Sequence, residues 1–154
     1  MKISTKGRYA LRMMLDIAVH QGEGYVALKD TAQREEISKK YLEQIALQLT
    51  QAGLLRAVRG HQGGYRLLKA PQEYTVYQIL CVTEGSLAPV ACLEHAPNAC
   101  PRSGQCPTLP LWQGLEDVVR GYLSGVTLRE LMLKDAKAQS CLLYTSDAAD
   151  EEDS

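Results

Sequence analysis

Apolar residues recur every three to four positions through the opening third of the chain, then shift to short runs broken by glycine. From Ser4 or Thr5 to His20, Ala10, Leu11, Met14, Leu15 and Ala18 line one face, the spacing of an amphipathic helix. Gly22 and Gly24 end it. Residues 28–35 read as a short second helix, followed by a turn at Glu36 and Ile37. Ser38 is a good N-cap for a third helix over 39–52, with Leu42, Ile45 and Leu49 facing inward. Two short helices joined by a tight turn form a helix-turn-helix, whose second helix is the candidate reader of a duplex.

Residues 54–59 and 65–68 have the length and composition of strands, and the glycine-rich stretch 60–64 suits the loop between them. A hairpin directly after a helix-turn-helix is the wing of a winged-helix domain. Pro71 breaks the chain, and Thr75 can cap a fourth helix reaching about Thr83. The Pro-rich stretch 85–110 has little periodicity and holds three Cys; loops of that length are usually functional or disordered. Residues 111–123 then predict an amphipathic helix with Trp112, Leu115, Val118, Val119 and Tyr122 on one stripe, and Thr127 caps a last short helix over 128–133. The stripe suits an intramolecular core or a dimer interface. The small domain ahead of it and the two-fold symmetry of DNA sites favour the interface. The fold expected is mostly α with a small β-hairpin wing. A winged helix-turn-helix domain fills 1–70; a helix, a cysteine-bearing loop and a long dimerisation helix fill 71–135.

The segment 141–154 breaks from this pattern, being aperiodic and acidic. One codon choice for residues 141–151 resembles a transposase adapter used in sequencing libraries. It is therefore read as a non-native tail, with a native acidic tail as the alternative, and set aside from fold reasoning.

Charge sharpens the picture. The net charge of −1 conceals twelve Lys/Arg against six Asp/Glu in residues 1–70, a balance of +6, and the tail alone contributes −5. A basic front suits a polyanion, because each phosphate contact releases counterions. Lys2, Lys6, Arg8, Lys39, Lys40, Arg56, Arg59 and Arg66 fall on the first helix, the reader helix and the wing, the elements that face a duplex in a winged helix. Ser38, Tyr41, Glu43 and Gln44 cluster at the start of the reader helix, where side chains reach base edges. Arg59, beside Gly60 and with Tyr65 across the loop, suits insertion into a narrow minor groove. An ordinary solvated basic surface is the alternative.

Five Cys, an odd number without an export signal, argue for thiol or metal chemistry in a reducing, cytoplasmic setting. Cys92, Cys100 and Cys106 stand as C-x7-C-x5-C. Soft thiolates on a loop suit an iron–sulfur cluster or zinc, and redox thiols are the other option. Cys81 lies beside Ile79, Leu80 and Val82 and reads as a small buried hydrophobe. No apolar run reaches membrane-spanning length, and no residues support catalysis: GHQGG lacks Walker spacing, and His20 and His61 have no nucleophile partner.

The stretches MKISTKGRYALRMMLDIA, SKKYLEQIALQL, GLLRAVRGHQGGYRL and TEGSLAPVACLE together resemble the iron–sulfur cluster regulator branch of a bacterial winged-helix repressor family, across about residues 1–135. The resemblance implies a homodimer that binds double-stranded DNA and holds a cluster, typically 2Fe–2S, whose occupancy changes promoter choice. It places Tyr41, Glu43 and Gln44 at base-reading positions, with Glu43 tuning sequence preference, and Arg59 at the minor-groove position of the wing. It places Cys92, Cys100 and Cys106 on the cluster-ligand positions. Two departures bear on the cluster. The first inter-cysteine gap is longer than usual, and Leu109 stands where the best-known members carry a fourth-ligand His; Arg8 stands where another branch has an acidic ligand. The fourth ligand is thus unassigned. His95 is the local candidate, with Glu94, a thiol, water or a partner-subunit residue as alternatives. 2Fe–2S is preferred to 4Fe–4S.

Overall fold

Ser4 opens the first helix: its hydroxyl accepts a hydrogen bond from the Gly7 amide, and α1 runs Thr5–His20. The structure, a computed structural model, describes residues 2–95 and 100–135, so the tail over 141–154 lies outside the described residues. Helix α1 buries Ala10, Met13, Met14 and Ile17 completely. Helix α2 spans Leu28–Glu35 and ends on Glu36, whose φ of 56° makes the sharp reversal of the helix-turn-helix. Ser38 then caps helix α3 (Lys39–Gln51) by accepting from the Tyr41 amide. Leu42, Ile45, Ala46 and Leu49 of α3 are fully buried against α1.

Strand β1 (Leu55–Val58) pairs antiparallel with β2 (Gly64–Leu67) in the register Leu55–Leu67, Arg56–Arg66, Ala57–Tyr65 and Val58–Gly64. Val26, just before α2, adds a bridge on the far side of β2 through reciprocal bonds with Tyr65 of 2.8 and 2.9 Å. Only glycine fits at 64, because φ is +153° and a Cβ would overlap the Val26 carbonyl. The foot of the hairpin is held by Tyr74, which is 1% exposed. Its hydroxyl accepts from the amides of Leu68 (2.9 Å) and Lys69 (3.1 Å) and donates to the Leu54 carbonyl (2.9 Å).

Helix α4 (Val76–Glu84) is capped by Thr75 and stops at Gly85, in the left-handed region at φ +77°. A single 3-10 turn covers Ala91–Leu93. Helix α5 spans Leu109–Ser124, starting two residues earlier than periodicity suggests. Pro110 sits in its first turn, where a missing N–H costs nothing. The chain then returns to the front of the molecule. The Val76 amide donates to Val126 (2.9 Å) and the Leu128 amide to Tyr74 (3.1 Å), and a last helix, α6, covers residues 128–135. One core cluster therefore joins Met13, Leu42, Leu55, Tyr74, Ile79 and Leu128, and a smaller one gathers Val76, Leu80 and Leu87. Among the described residues no helix is long and apolar enough to cross a membrane.

Candidate functional site

The first two turns of α3 divide cleanly. Leu42, Ile45 and Ala46 are core, while Lys39, Lys40, Glu43 and Gln44 face solvent. Glu43 is 4.0 Å from Lys39 one turn back, a loose exposed pair that either side chain can leave for a partner. Ser38 is committed to the helix cap. Tyr41 is half-buried: its ring meets Tyr9 of α1 edge-on, with centroids 5.7 Å apart. Arg12 lies over Tyr9 at 5.3 Å and donates to the Glu35 carbonyl at the end of α2. Tyr41 thus spends part of its surface on holding α3 against α1. Neither Tyr9 nor Arg12 stood out in the sequence, since their roles depend on packing between helices.

A second lock fixes α1 to α2. Asp16 is buried and receives both Arg34 Nε (2.8 Å) and Nη2 (2.9 Å), together with the Thr31 hydroxyl (2.7 Å). Burial by itself pushes this carboxyl up. The hydrogen bonds from Arg34 and Thr31, with the charges of Arg34 and His20, outweigh it and hold the group below its ordinary value of 3.8. An acidic residue on the apolar face of α1 was the available signal; its partners were not.

In the wing, Arg59 and Gly60 are exposed at the turn, and Gly60 has φ +120°. Tyr65 is half-buried against the main core, so it anchors the wing. Arg56 and Arg66 are directly opposed in register, a repulsive pairing for like charges. Arg66 resolves it by turning away, donating to the carbonyls of Glu23 (2.9 Å) and Gly24 (3.0 Å) beside the Tyr25 ring. Of the two, Arg56 keeps its charge in solvent. Lys2, ahead of α1, and Arg8 on it are exposed, and Lys6 is half-buried.

The cysteines occupy different settings. Cys92 lies in the 3-10 turn, Cys100 precedes a run of turns, and Cys106 stands just ahead of α5; all three are half-buried. Among the described residues no three His, Cys, Asp or Glu side chains come together as a metal-holding group, so the geometry does not gather the three thiols. Their donor chemistry suits a soft iron or zinc centre. The Cys106 sulfur is 3.3 Å from the Thr108 hydroxyl. That hydroxyl, with the Thr108 and Leu109 amides and the Arg102 charge, pulls the thiol below its ordinary value. His95 is exposed and lines a cleft of about 460 Å³ between α4 and α5 that also exposes Cys81. Cys81 is half-buried, more accessible than a core residue.

The stripe on α5 splits. Trp112 and Val119 are half-buried, whereas Leu115, Val118 and Tyr122 face solvent, joined by Leu111. Positions 111, 115, 118 and 122 follow the four-three spacing of a helix-to-helix seam, with Val118 and Tyr122 each 68% exposed.

Comparison with known proteins agrees with this architecture. Residues 3–134 match the model of the Rrf2 family, described as iron-dependent transcriptional regulators. The chain is 39% identical over 149 residues to the HTH-type transcriptional regulator IscR of Aliivibrio salmonicida, covering 97% of this chain and 88% of the relative. The solved structure of IscR from T. potens superimposes with a TM-score of 0.71 at 39% identity, over 90% of this chain and 91% of that one. CymR, the global cysteine regulator of B. subtilis, superimposes equally well at 36% identity, over 87% and 98%. Each of these is a regulator built on the same winged-helix plan. The chain belongs to the Rrf2 family of transcriptional regulators.

Proposed function

We propose that the protein binds double-stranded DNA as a homodimer through α3 and the wing, and that Cys92, Cys100 and Cys106 hold an iron–sulfur cluster that adjusts this binding. The observation that carries the DNA reading is the division of α3. Its inner side is fully packed, which fixes its angle, while Lys39, Lys40, Glu43 and Gln44 project from its opening turns into solvent. Lys39, Lys40, Lys2 and Arg8 serve phosphates; Glu43 and Gln44 read base edges; Arg59 enters the minor groove. The unpartnered seam of Leu111, Leu115, Val118 and Tyr122 supports pairing of two chains, which also matches the two-fold symmetry of operators.

The cluster reading is supported by the three thiols on one stretch and by the similarity to regulators named IscR. Such a cluster would supply iron that responds to oxidation, nitric oxide and iron supply. His95 is the candidate fourth ligand, and 2Fe–2S is preferred to 4Fe–4S. A second reading, in which the cysteines are redox thiols or bind zinc, is favoured by the lowered Cys106 thiol and by the similarity to a cysteine regulator.

The test is to purify the full chain without oxygen and record its visible spectrum with iron, acid-labile sulfide and zinc. Brown protein with near-equal iron and sulfide supports the cluster, and Cys92→Ala, Cys100→Ala or Cys106→Ala then bleaches it. Colourless protein that cannot be reconstituted overturns the cluster and leaves the second reading. Absence of any duplex binding at low salt overturns the DNA reading.

A further inference from the structure

The start of α1 and the end of α4 meet at one carboxylate. Glu84 Oε1 accepts from both the Ser4 hydroxyl (2.5 Å) and the Ser4 amide (3.2 Å), and the Ser4 hydroxyl in turn accepts from the Gly7 amide (3.0 Å). The two helices close on each other at Gly7, which is buried. A Cβ there would overlap the Glu84 carboxylate and lie 3.2 Å from Leu80 Cδ2. Glu84 is the last residue of α4; Gly85 turns into the left-handed region and the cysteine-bearing stretch begins.

Lys2, Lys6 and Arg8 are close neighbours of Ser4 along the chain, and Tyr9, one position on, carries the ring contact to Tyr41 of the reader helix. The start of α1 is therefore tied to α4 through Glu84, and its next turn to the reader helix through Tyr9 and Tyr41. A carboxylate bonded to the start of a basic turn that is to meet phosphate works against binding by charge alone. Its position is favourable for the helix, because an anion at an N-terminus complements the dipole and the free amides.

We propose that Glu84 is a positioning residue for DNA binding. It fixes the basic first turn of α1 against the reader helix, from the point where the cysteine stretch leaves the fold. This rests on the reading that the front of α1 contacts DNA. Two effects of removing the side chain then have opposite signs. Loss of a negative charge near phosphate tightens binding, and loss of positioning weakens it.

The test is a fluorescence-anisotropy titration of the full chain against a labelled mixed-sequence duplex over a range of salt, with thermal unfolding measured alongside. Glu84→Ala is expected to bind about five- to tenfold more weakly, with a salt slope shallower by roughly one, as a Lys or Arg contact is lost. Glu84→Gln is expected to stay within about twofold of wild type, because its amide oxygen still accepts from Ser4. Equal or tighter binding by both variants overturns the proposal, since charge alone then explains the result. If Glu84→Ala is not folded, Ser4→Gly serves instead: glycine is well tolerated at an N-cap position and removes the hydroxyl donor to Glu84. Weakened binding by Ser4→Gly supports the joint, and unchanged binding overturns it. Failure of the wild type to bind any duplex at low salt takes down the DNA-binding reading itself, a result distinct from either.

Discussion

Removing Arg34 should harm the fold more than removing the carboxylate it serves. The Asp16 side chain is 3% exposed, whereas the Arg34 side chain is 36% exposed. In Asp16→Asn the guanidinium can swing into water, and the Thr31 hydroxyl still finds the amide oxygen. The expected loss is about 2 kcal/mol, the order of a charge-assisted bond. In Arg34→Met the carboxylate stays buried with only Thr31 and His20 nearby, and the expected loss is about 3–4 kcal/mol. The double variant should lose less than the two singles together, because neither charge is left stranded.

The pH dependence gives a second, independent check. In the wild type the Asp16 carboxyl is held below 3.8, so its stabilisation is present above that value and fades as pH falls through the folded value. In Arg34→Met the burial contribution dominates and pushes the carboxyl up. The penalty then grows as pH rises above 3.8. Urea unfolding followed by circular dichroism, at about pH 7 and about pH 4.5, should show a wider gap between wild type and Arg34→Met at the higher pH. Equal gaps at both values, or Asp16→Asn proving the costlier change, would refute the reasoning.

Other perturbations test other parts of the molecule. Tyr74→Phe leaves the Leu68 and Lys69 amides and the Leu54 carbonyl without their shared partner, and should cost about 1–3 kcal/mol in denaturant unfolding. Gly64→Ala should cost roughly 3 kcal/mol or more by the same assay, since the Val26 backbone occupies the space for its Cβ. Arg59→Ala should relax preference for narrow minor grooves, whereas Lys39→Ala should weaken all duplexes alike and lower the salt slope by about one, both read by anisotropy. Thr108→Val should raise the midpoint of the pH profile for alkylation of Cys106, because the hydroxyl that favours the thiolate is gone.

Local signals carried most of the fold. Ser38 and Thr75 cap the helices expected of them, because capping depends on a few adjacent residues. The glycines of the wing marked a hairpin, and the structure confirms two short strands there. What escaped were relations between distant elements. The carboxylate of Asp16 is read from the sequence as one more charge; only the packing of α1 on α2 brings Arg34 to it. The same holds for Tyr74, whose hydroxyl serves residues that flank both strands at the hairpin foot. Among the site residues, the exposed Lys39, Lys40, Glu43, Gln44 and Arg59 sit where helix and hairpin periodicity place them. Tyr41, Tyr65 and Arg66 turned out to divide their surface with the scaffold, since a half-exposed aromatic or a long cation carries no mark of which side it will spend on packing. The apolar stripe of α5 was legible as a whole, but its division into inner and outer edges required the position of α4.

The return of the chain after α5 has a mechanical consequence. Helix α5 leaves the front of the molecule through the cysteine stretch and comes back through Val126 and Leu128, which pair with Val76 and Tyr74. Its far end is thereby fastened to the frame that carries the hairpin. A strain introduced at the cysteine end meets a clamped far end, and the clamp is the strand-like run whose tyrosine also braces the wing. Rearrangement among the thiols would accordingly load the hairpin through Tyr74.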